Sequence, residues 1–177
     1  MILTSHFITL DGVVQAPEDW HASFASDEQY DVMRSQLARL DGHLIGRRTY
    51  DEFAAYWPHQ DGEVPLADET NSLHKFVVSS TAEVGYQPAE VIAADARTAV
   101  AEVERRGLTV GVYGATRLTR ALLSIDAVDE MQFYLDPVVL GTGERLFDAG
   151  VGQSRLVLGA ARELPHGVMH LTYRRSA

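Results

Sequence analysis

The stretch Leu44-Ile45-Gly46-Arg47-Arg48-Thr49-Tyr50 carries the side chains best suited to hold a charged ligand. An apolar pair runs into a glycine, and two arginines then open a helical segment read over 49–55. Cations at a helix N-terminus oppose the macrodipole, so bare arginines there cost stability. They make sense if an anion sits at that terminus, gripped by backbone N–H groups and guanidinium forks together. The other reading is that Arg47 and Arg48 point into water, and this stretch alone leaves both open.

Two further turns follow apolar runs: Ser79-Ser80-Thr81 after Lys75-Phe76-Val77-Val78, and Gly114-Ala115-Thr116-Arg117 after 108–113. Ligands of open α/β sheets bind beyond the carboxyl ends of the strands. If the three strands are parallel and adjacent, the three turns meet at one crevice. Helix starts, hydroxyls and arginines gathered there suit a nucleotide or dinucleotide; the alternative is ordinary helix caps. No Gly-x-Gly-x-x-Gly opens the first βα unit and no phosphate-loop lysine motif occurs. Gly141-Thr142-Gly143 reads instead as a turn that lets backbone pack closely. The histidines are scattered, no His-Glu-x-x-His is present, and no metal site is expected. No Gly-x-Ser-x-Gly elbow occurs either.

The elements that must position these turns follow from the hydrophobic pattern. Residues 1–9 are apolar and β-branched, as in a buried strand. Ser26-Asp27-Glu28-Gln29 looks like a capping box, opening a helix with the stripe Tyr30, Met33, Leu37 and Leu40. Strands are read at 43–45, 75–78, 91–93 and 108–113. Helices are read at 67–74, 97–106, where Gly107 takes the αL cap, and 116–124. After that the alternation stops: 130–135, 155–158 and 168–174 all read as strands. The order implies a mostly parallel α/β core with an antiparallel C-terminal strand pair. Pro137 is expected at a strand edge or bend. The longest loops are expected at 11–25 and 58–65.

The chain has 177 residues, 46% of them hydrophobic, which suffices for one domain spanning 1–177. Its formal net charge of −10 argues against nucleic acid and anionic membranes as partners. No apolar run has membrane-spanning length. The first residues lack a basic flank and a cleavage site, so no signal peptide is expected. There is no cysteine, which excludes disulfides and thiolate chemistry and fits a cytoplasmic location.

Taken in order, these segments resemble the dihydrofolate reductase-like superfamily. The resemblance is closest to the reductase domain of bifunctional riboflavin-pathway deaminase–reductases and its stand-alone bacterial relatives. Thr9-Leu10-Asp11-Gly12-Val13-Val14 resembles the family's Ser-x-Asp-Gly segment, and 44–50 its Gly-Arg-x-Thr motif. Val77-Val78-Ser79-Ser80 resembles its strand-end serines. Val112-Tyr113-Gly114-Ala115 stands where the family often has paired glycines. Asp129-Glu130 and 137–147 resemble its late segment.

The resemblance implies a three-layer αβα fold, NADPH as cofactor, and a pyrimidine- or pteridine-like small molecule as substrate. The implied activity is that of a 5-amino-6-(5-phosphoribosylamino)uracil reductase. The alternatives are dihydrofolate reductase itself and a non-catalytic nucleotide-binding protein of the same fold. Gly46, Arg47, Arg48 and Thr49 would meet the diphosphate and the 2′-phosphate. Ser79 and Ser80 would lie near the adenosine. Tyr113, Gly114, Ala115, Thr116 and Arg117 would pass under the diphosphate and nicotinamide ribose. Leu10, Val14, Gln15 and Trp20 would border the substrate. For the acid that dihydrofolate reductases carry on the first helix, Asp27 and Asp11 are the candidates. Each has a plain structural alternative, as a helix-start acid and a turn residue. Relatives of this branch often pair, so a homodimer is expected.

Overall fold

The computed structural model describes residues 1–81, 83–147 and 152–176. One sheet contains β1 (Ile2–Thr9), β2 (Gly42–Gly46), β3 (His74–Val78), β4 (Ala89–Ala93), β5 (Val110–Tyr113), β6 (Glu130–Asp136), β7 (Leu156–Glu163) and β8 (Met169–Arg175). Their spatial order is β4-β3-β2-β5-β1-β6-β8-β7. Strands β4 through β6 run parallel, and β8 and β7 are antiparallel additions. This is the mixed sheet that the strand–helix alternation predicts.

The helices are α1 (Pro17–Trp20), α2 (Asp27–Leu37), α3 (Arg47–Tyr56), α4 (Ala67–Ser72), α5 (Ala96–Arg106) and α6 (Thr116–Ser124). Alternation along the central strands assigns the faces. Leu44, Val110, Val112, Met131 and Phe133 pack with α5 and α6 in the main core. Ile45 and Val77 pack under Tyr50 of α3 on the other face, and Leu3 packs with Leu37 of α2. The central strands are covered on both faces, which is why they read as continuous apolar runs. Full burial of a side chain such as Leu44 or Val77 stabilises the fold by roughly 2 kcal/mol.

Several local expectations change. The 11–25 stretch is not plain loop, because α1 and a 3₁₀ turn at Ala22–Phe24 lie in it. Helix α3 begins at Arg47 rather than Thr49, since Gly46 is extended at the N-cap and the chain turns at once. The segment 67–74 is helical only to Ser72, and His74 already pairs with Gly42 across β3 and β2. The capping box is half formed: Ser26 Oγ accepts from the Gln29 backbone N–H, while the Gln29 side chain turns to His21. Gly107 takes the αL cap as read. A Cβ on Gly143 would meet Val13 Cγ1 at 2.6 Å, so the 141–143 turn is the close approach expected of it.

Candidate functional site

Strand order reverses between β2 and β5. The chain leaves β2 for β3 on one side and leaves β5 for β6 on the other. The two strands pair only through Gly42↔Val110 and His43↔Gly111 and have no further register partners toward their carboxyl ends. A gap beyond neighbouring strands at an order reversal is where open α/β sheets bind ligands.

An uncapped helix opens on each side of that gap. Gly46 at α3 and Ala115 at α6 place no side-chain acceptor on the first-turn N–H groups. These donors need partners, and the positive end of the helix favours an anion. A Cβ built on Gly46 or Gly114 would meet no atom within 4 Å, so open space lies in front of both turns. Gly114 has φ +63°, a left-handed turn that glycine takes without strain.

Three arginines surround the helix starts. Arg47 pairs with Asp51 at 2.9 Å and donates to the Glu83 carbonyl at 2.6 Å. Arg48 pairs with Glu52 at 2.9 Å, yet its side chain is 81% exposed. Arg117 is exposed at the start of α6. The water-facing alternative therefore describes Arg48, while Arg47 is partly held. Thr49 and Ala115 are buried, Thr116 is half-buried, and Ser80 is exposed. Ser79 Oγ bonds Thr81 Oγ1 at 3.0 Å. The Tyr113 ring lies over Gly111 and edge-on to His43, so only its backbone borders the gap.

Next to this gap, beyond β1 and β6, residues 10–15 are knitted to 137–147. Leu10 N–H donates to Val138 O, Val14 N–H to Glu144 O, and Leu146 N–H to Gly12 O. Asp11 holds the junction. Its carboxylate accepts from the Thr9 hydroxyl at 2.6 Å and from the N–H groups of Gly141 at 2.9 Å and Leu140 at 3.3 Å. The Thr9 hydrogen bond, with those backbone donors, pushes the Asp11 carboxyl down to about 2. Such a group carries no proton at neutral pH, so its geometry is that of a loop fastener. Asp27 is exposed at the first turn of α2. Val14 is buried in the main core, Leu10 is exposed, and Gln15 Oε1 accepts from Glu144 N–H. Trp20 Nε1 donates to Gln15 O at 2.9 Å.

One feature of this end escapes pattern reading. His21, Asp136 and Gln29 form a buried hydrogen-bonded group at the carboxyl ends of β1 and β6. Its members are far apart in sequence, and no local motif marks them. A groove of about 440 Å³ opens elsewhere, along α2 and the faces of β6, β8 and β7. Its lining mixes Arg39, Arg162 and Arg174 with Glu28, Asp31 and Glu130, and no helix start opens into it without a side-chain cap. Among the described residues no cluster could hold a metal ion, and no helix is long and apolar enough to cross a membrane.

The sequence pattern of the RibD C-terminal domain matches residues 1–169. The chain belongs to the RibD C-terminal domain family. No curated protein is similar enough to match. Among solved structures, a proposed riboflavin biosynthesis protein from Shewanella sp. PV-4 superposes with a TM-score of 0.80 at 20% identity, covering 99% of both chains. A pyrimidine reductase-like protein from Corynebacterium diphtheriae gives 0.68 at 16% identity, over 99% of this chain and 92% of that one. The Thermotoga maritima diaminohydroxyphosphoribosylaminopyrimidine deaminase/5-amino-6-(5-phosphoribosylamino)uracil reductase gives 0.66 at 14% identity. This RibD C-terminal chain covers 99% of itself but 56% of that longer protein. The shared fold is dihydrofolate reductase-like.

Proposed function

We propose that this chain is an NADPH-dependent reductase of a pyrimidine- or pteridine-like small molecule, of the 5-amino-6-(5-phosphoribosylamino)uracil reductase kind. The gap between β2 and β5, with an uncapped helix start on either side, carries this reading. The first-turn N–H groups of α3 and α6 would hold the diphosphate, with Gly46 and Gly114 leaving it room. Arg47 and Arg48 would grip the 2′-phosphate, exchanging Asp51 and Glu52 for a stronger anion. Thr49, Ser79, Ser80, Tyr113 backbone, Ala115, Thr116 and Arg117 complete the cradle. When bound, the reduced nicotinamide supplies a hydride for a C=N or C=O carbon. The protein aligns the rings and excludes water, and the Asp11-fastened pair of segments forms the wall on that side. Leu10, Gln15 and Trp20 face the substrate in this reading.

Calorimetry with NADPH and NADH tests the cradle, and loss of NADPH absorbance with a panel of pyrimidines and pteridines tests turnover. Saturable NADPH binding with turnover supports the reading; absence of heat with either dinucleotide refutes it. The position of Asp11 and Asp27 favours one rival, a nucleotide-binding protein without catalysis, because neither is arranged to give a proton. Tight NADPH binding without turnover across the panel would select that rival.

We also propose a homodimer through β7. This edge strand is exposed along nearly its whole length and presents Val157 and Leu158 to solvent. An unpaired, apolar edge is a template for a second copy. Light scattering that shows a monomer would remove this element.

A further inference from the structure

The groove along α2 has a polar floor where the other sheet faces are apolar. Residues directly opposite in paired strands share a face. Pairing across β6, β8 and β7 therefore lays three rows on one face: Tyr134-His170-Arg162, Gln132-Thr172-Ala160 and Glu130-Arg174-Val157. The middle row ends in two small side chains, Thr172 and Ala160, and long arginines stand in the rows on either side. The result is a dip in the sheet, walled by Val32, Ser35 and Arg39 of α2. Its volume of about 440 Å³ suits a small molecule.

The outer row at Tyr134 is internally satisfied. Tyr134 donates to Gln36 Oε1 at 3.0 Å, and the Gln36 amide nitrogen lies 3.0 Å from His170 Nε2. The rows below it are not. Gln132, Thr172 and Glu130 are all buried, yet Gln132 Oε1 has no partner. Glu130 accepts from the Gln132 amide at 2.6 Å, and its two guanidiniums stand off: Arg174 Nε is 3.4 Å away and Arg39 Nη1 3.6 Å. Charge-assisted pairs close to about 2.7–2.9 Å when nothing separates them. A buried carboxylate and an orphaned amide oxygen, side by side, call for a donor-rich group. The two arginines share one carboxylate between them, which leaves most of their N–H donors for an acceptor. Arg162 and Asp31 do not alter this balance, since Glu28 holds the first and Arg34 the second.

We propose that the dip is a second binding site, for a small zwitterion of the α-amino-acid class. The ammonium group lies on the floor against Glu130 and supplies the donor that Gln132 Oε1 lacks. The carboxylate lies above it, between the guanidiniums of Arg39 and Arg174, and a short apolar side chain rests on Val32 and Ala160. Both charges are needed: an anion alone would meet the buried Glu130, and a cation alone would meet the two arginines. Strand β1 separates this site from the β2/β5 gap, and the site does not depend on the reductase reading.

Titration of the ¹⁵N-labelled full chain with L-alanine, followed by the other proteinogenic α-amino acids, tests it by NMR. Saturable shifts at the backbone amides of Ser35, Gln132 and Thr172 are expected, and neither propionate nor ethylamine should reproduce them. Absence of saturable shifts with every amino acid overturns the proposal. Equal shifts with propionate also overturn it, because a simple anion would then suffice. Glu130→Gln keeps the size of the side chain and removes its charge, and should weaken binding roughly tenfold or more. Ala160→Leu fills the dip from an exposed strand and should abolish the shifts, which keeps the test decisive if the buried variant fails to fold. Unchanged affinity in Ala160→Leu would place the ligand elsewhere and overturn the assignment.

Discussion

Helices α2 and α5 begin with a side-chain cap, and helices α3 and α6 do not. Ser26 Oγ accepts from Gln29 N–H, and Asp95 accepts from both the N–H and the hydroxyl of Thr98. Gly46 and Ala115 accept nothing through a side chain. The two sheet faces each carry one helix of either kind, so the difference does not follow the layer. Among the four helices of at least 9 residues it follows the gap: the uncapped pair flanks the β2/β5 reversal and the capped pair does not, while the shorter α1 and α4 also lack a side-chain cap. A missing cap costs about 1 kcal/mol. Leaving two helices bare at one place is economical only if something else bonds those N–H groups.

The largest effect expected on this contrast comes from acid. His43 sits edge-on to Phe53 of α3, and His6 Nε2 lies 3.2 Å from Thr119 of α6. Burial lowers His43 to about 3, with Lys75 adding to the shift, and lowers His6 to about 4. Both folded values lie below the unfolded value of about 6.5. Between these limits the unfolded chain binds more protons, so stability is full above pH 6.5 and falls as the pH drops. By pH 4 the loss is roughly 3 kcal/mol for each histidine. Denaturant titrations between pH 7 and 4 measure the total, and hydrogen exchange locates it. Amides of α3 and α6 should open before those of α2 and α5; the opposite order would break the link between the gap and these histidines.

Next in size is the arginine pair. Replacing Arg47 and Arg48 by alanine removes i,i+4 ion pairs that are largely exposed, so stability should change by under about 1 kcal/mol. NADPH binding should weaken roughly a hundredfold, or about 3 kcal/mol, with NADH much less affected. Equal losses for the two dinucleotides would mean that the arginines do not read the 2′-phosphate.

The contrast between helix pairs shows which features a sequence displays. Gly46-Arg47-Arg48 and Gly114-Ala115-Thr116 are contiguous, and strand–turn–helix order alone puts both at carboxyl ends of strands. Ser26 sits in a contiguous capping pattern, whereas reading the α5 helix from 97 passes over Asp95, which caps its start at Ala96. What stayed hidden depends on register between distant strands. Asp136 faces His21 because β1 and β6 align Thr9 with Asp136 across the β5–β6 crossover. Asp11 reads as a catalytic acid until the 137–147 segment is seen to place two N–H groups on it. The Tyr113 ring reads as a cofactor contact until Gly111, two residues earlier on the same face, is seen to leave it a bed. Gln29 reads as half of a capping box, a local motif, and a nonlocal partner takes its side chain instead.

Smaller effects sharpen the comparison from the capped side. Ser26→Ala and Asp95→Ala should each cost about 1 kcal/mol in denaturant unfolding and leave the Kd for NADPH unchanged. Asp95 should show the larger loss, because it also accepts from the Thr98 hydroxyl. A change in NADPH affinity from Asp95→Ala would mean that the two classes of helix start are not independent.

The smallest effect is the most discriminating. Gly46 is extended at φ −77° and ψ 163°, the backbone that an N-cap serine adopts, and its missing Cβ would touch nothing within 4 Å. Gly46→Ser should therefore install a cap on α3 and raise stability by a few tenths of a kcal/mol, about the difference between glycine and serine at this position. The same hydroxyl would engage the N–H groups reserved for phosphate and occupy space in front of them. NADPH should bind more weakly to a slightly more stable protein. Gains in both quantities would show that the bare start of α3 is not where the dinucleotide lies. Opposite signs are what a helix end kept open for a ligand requires.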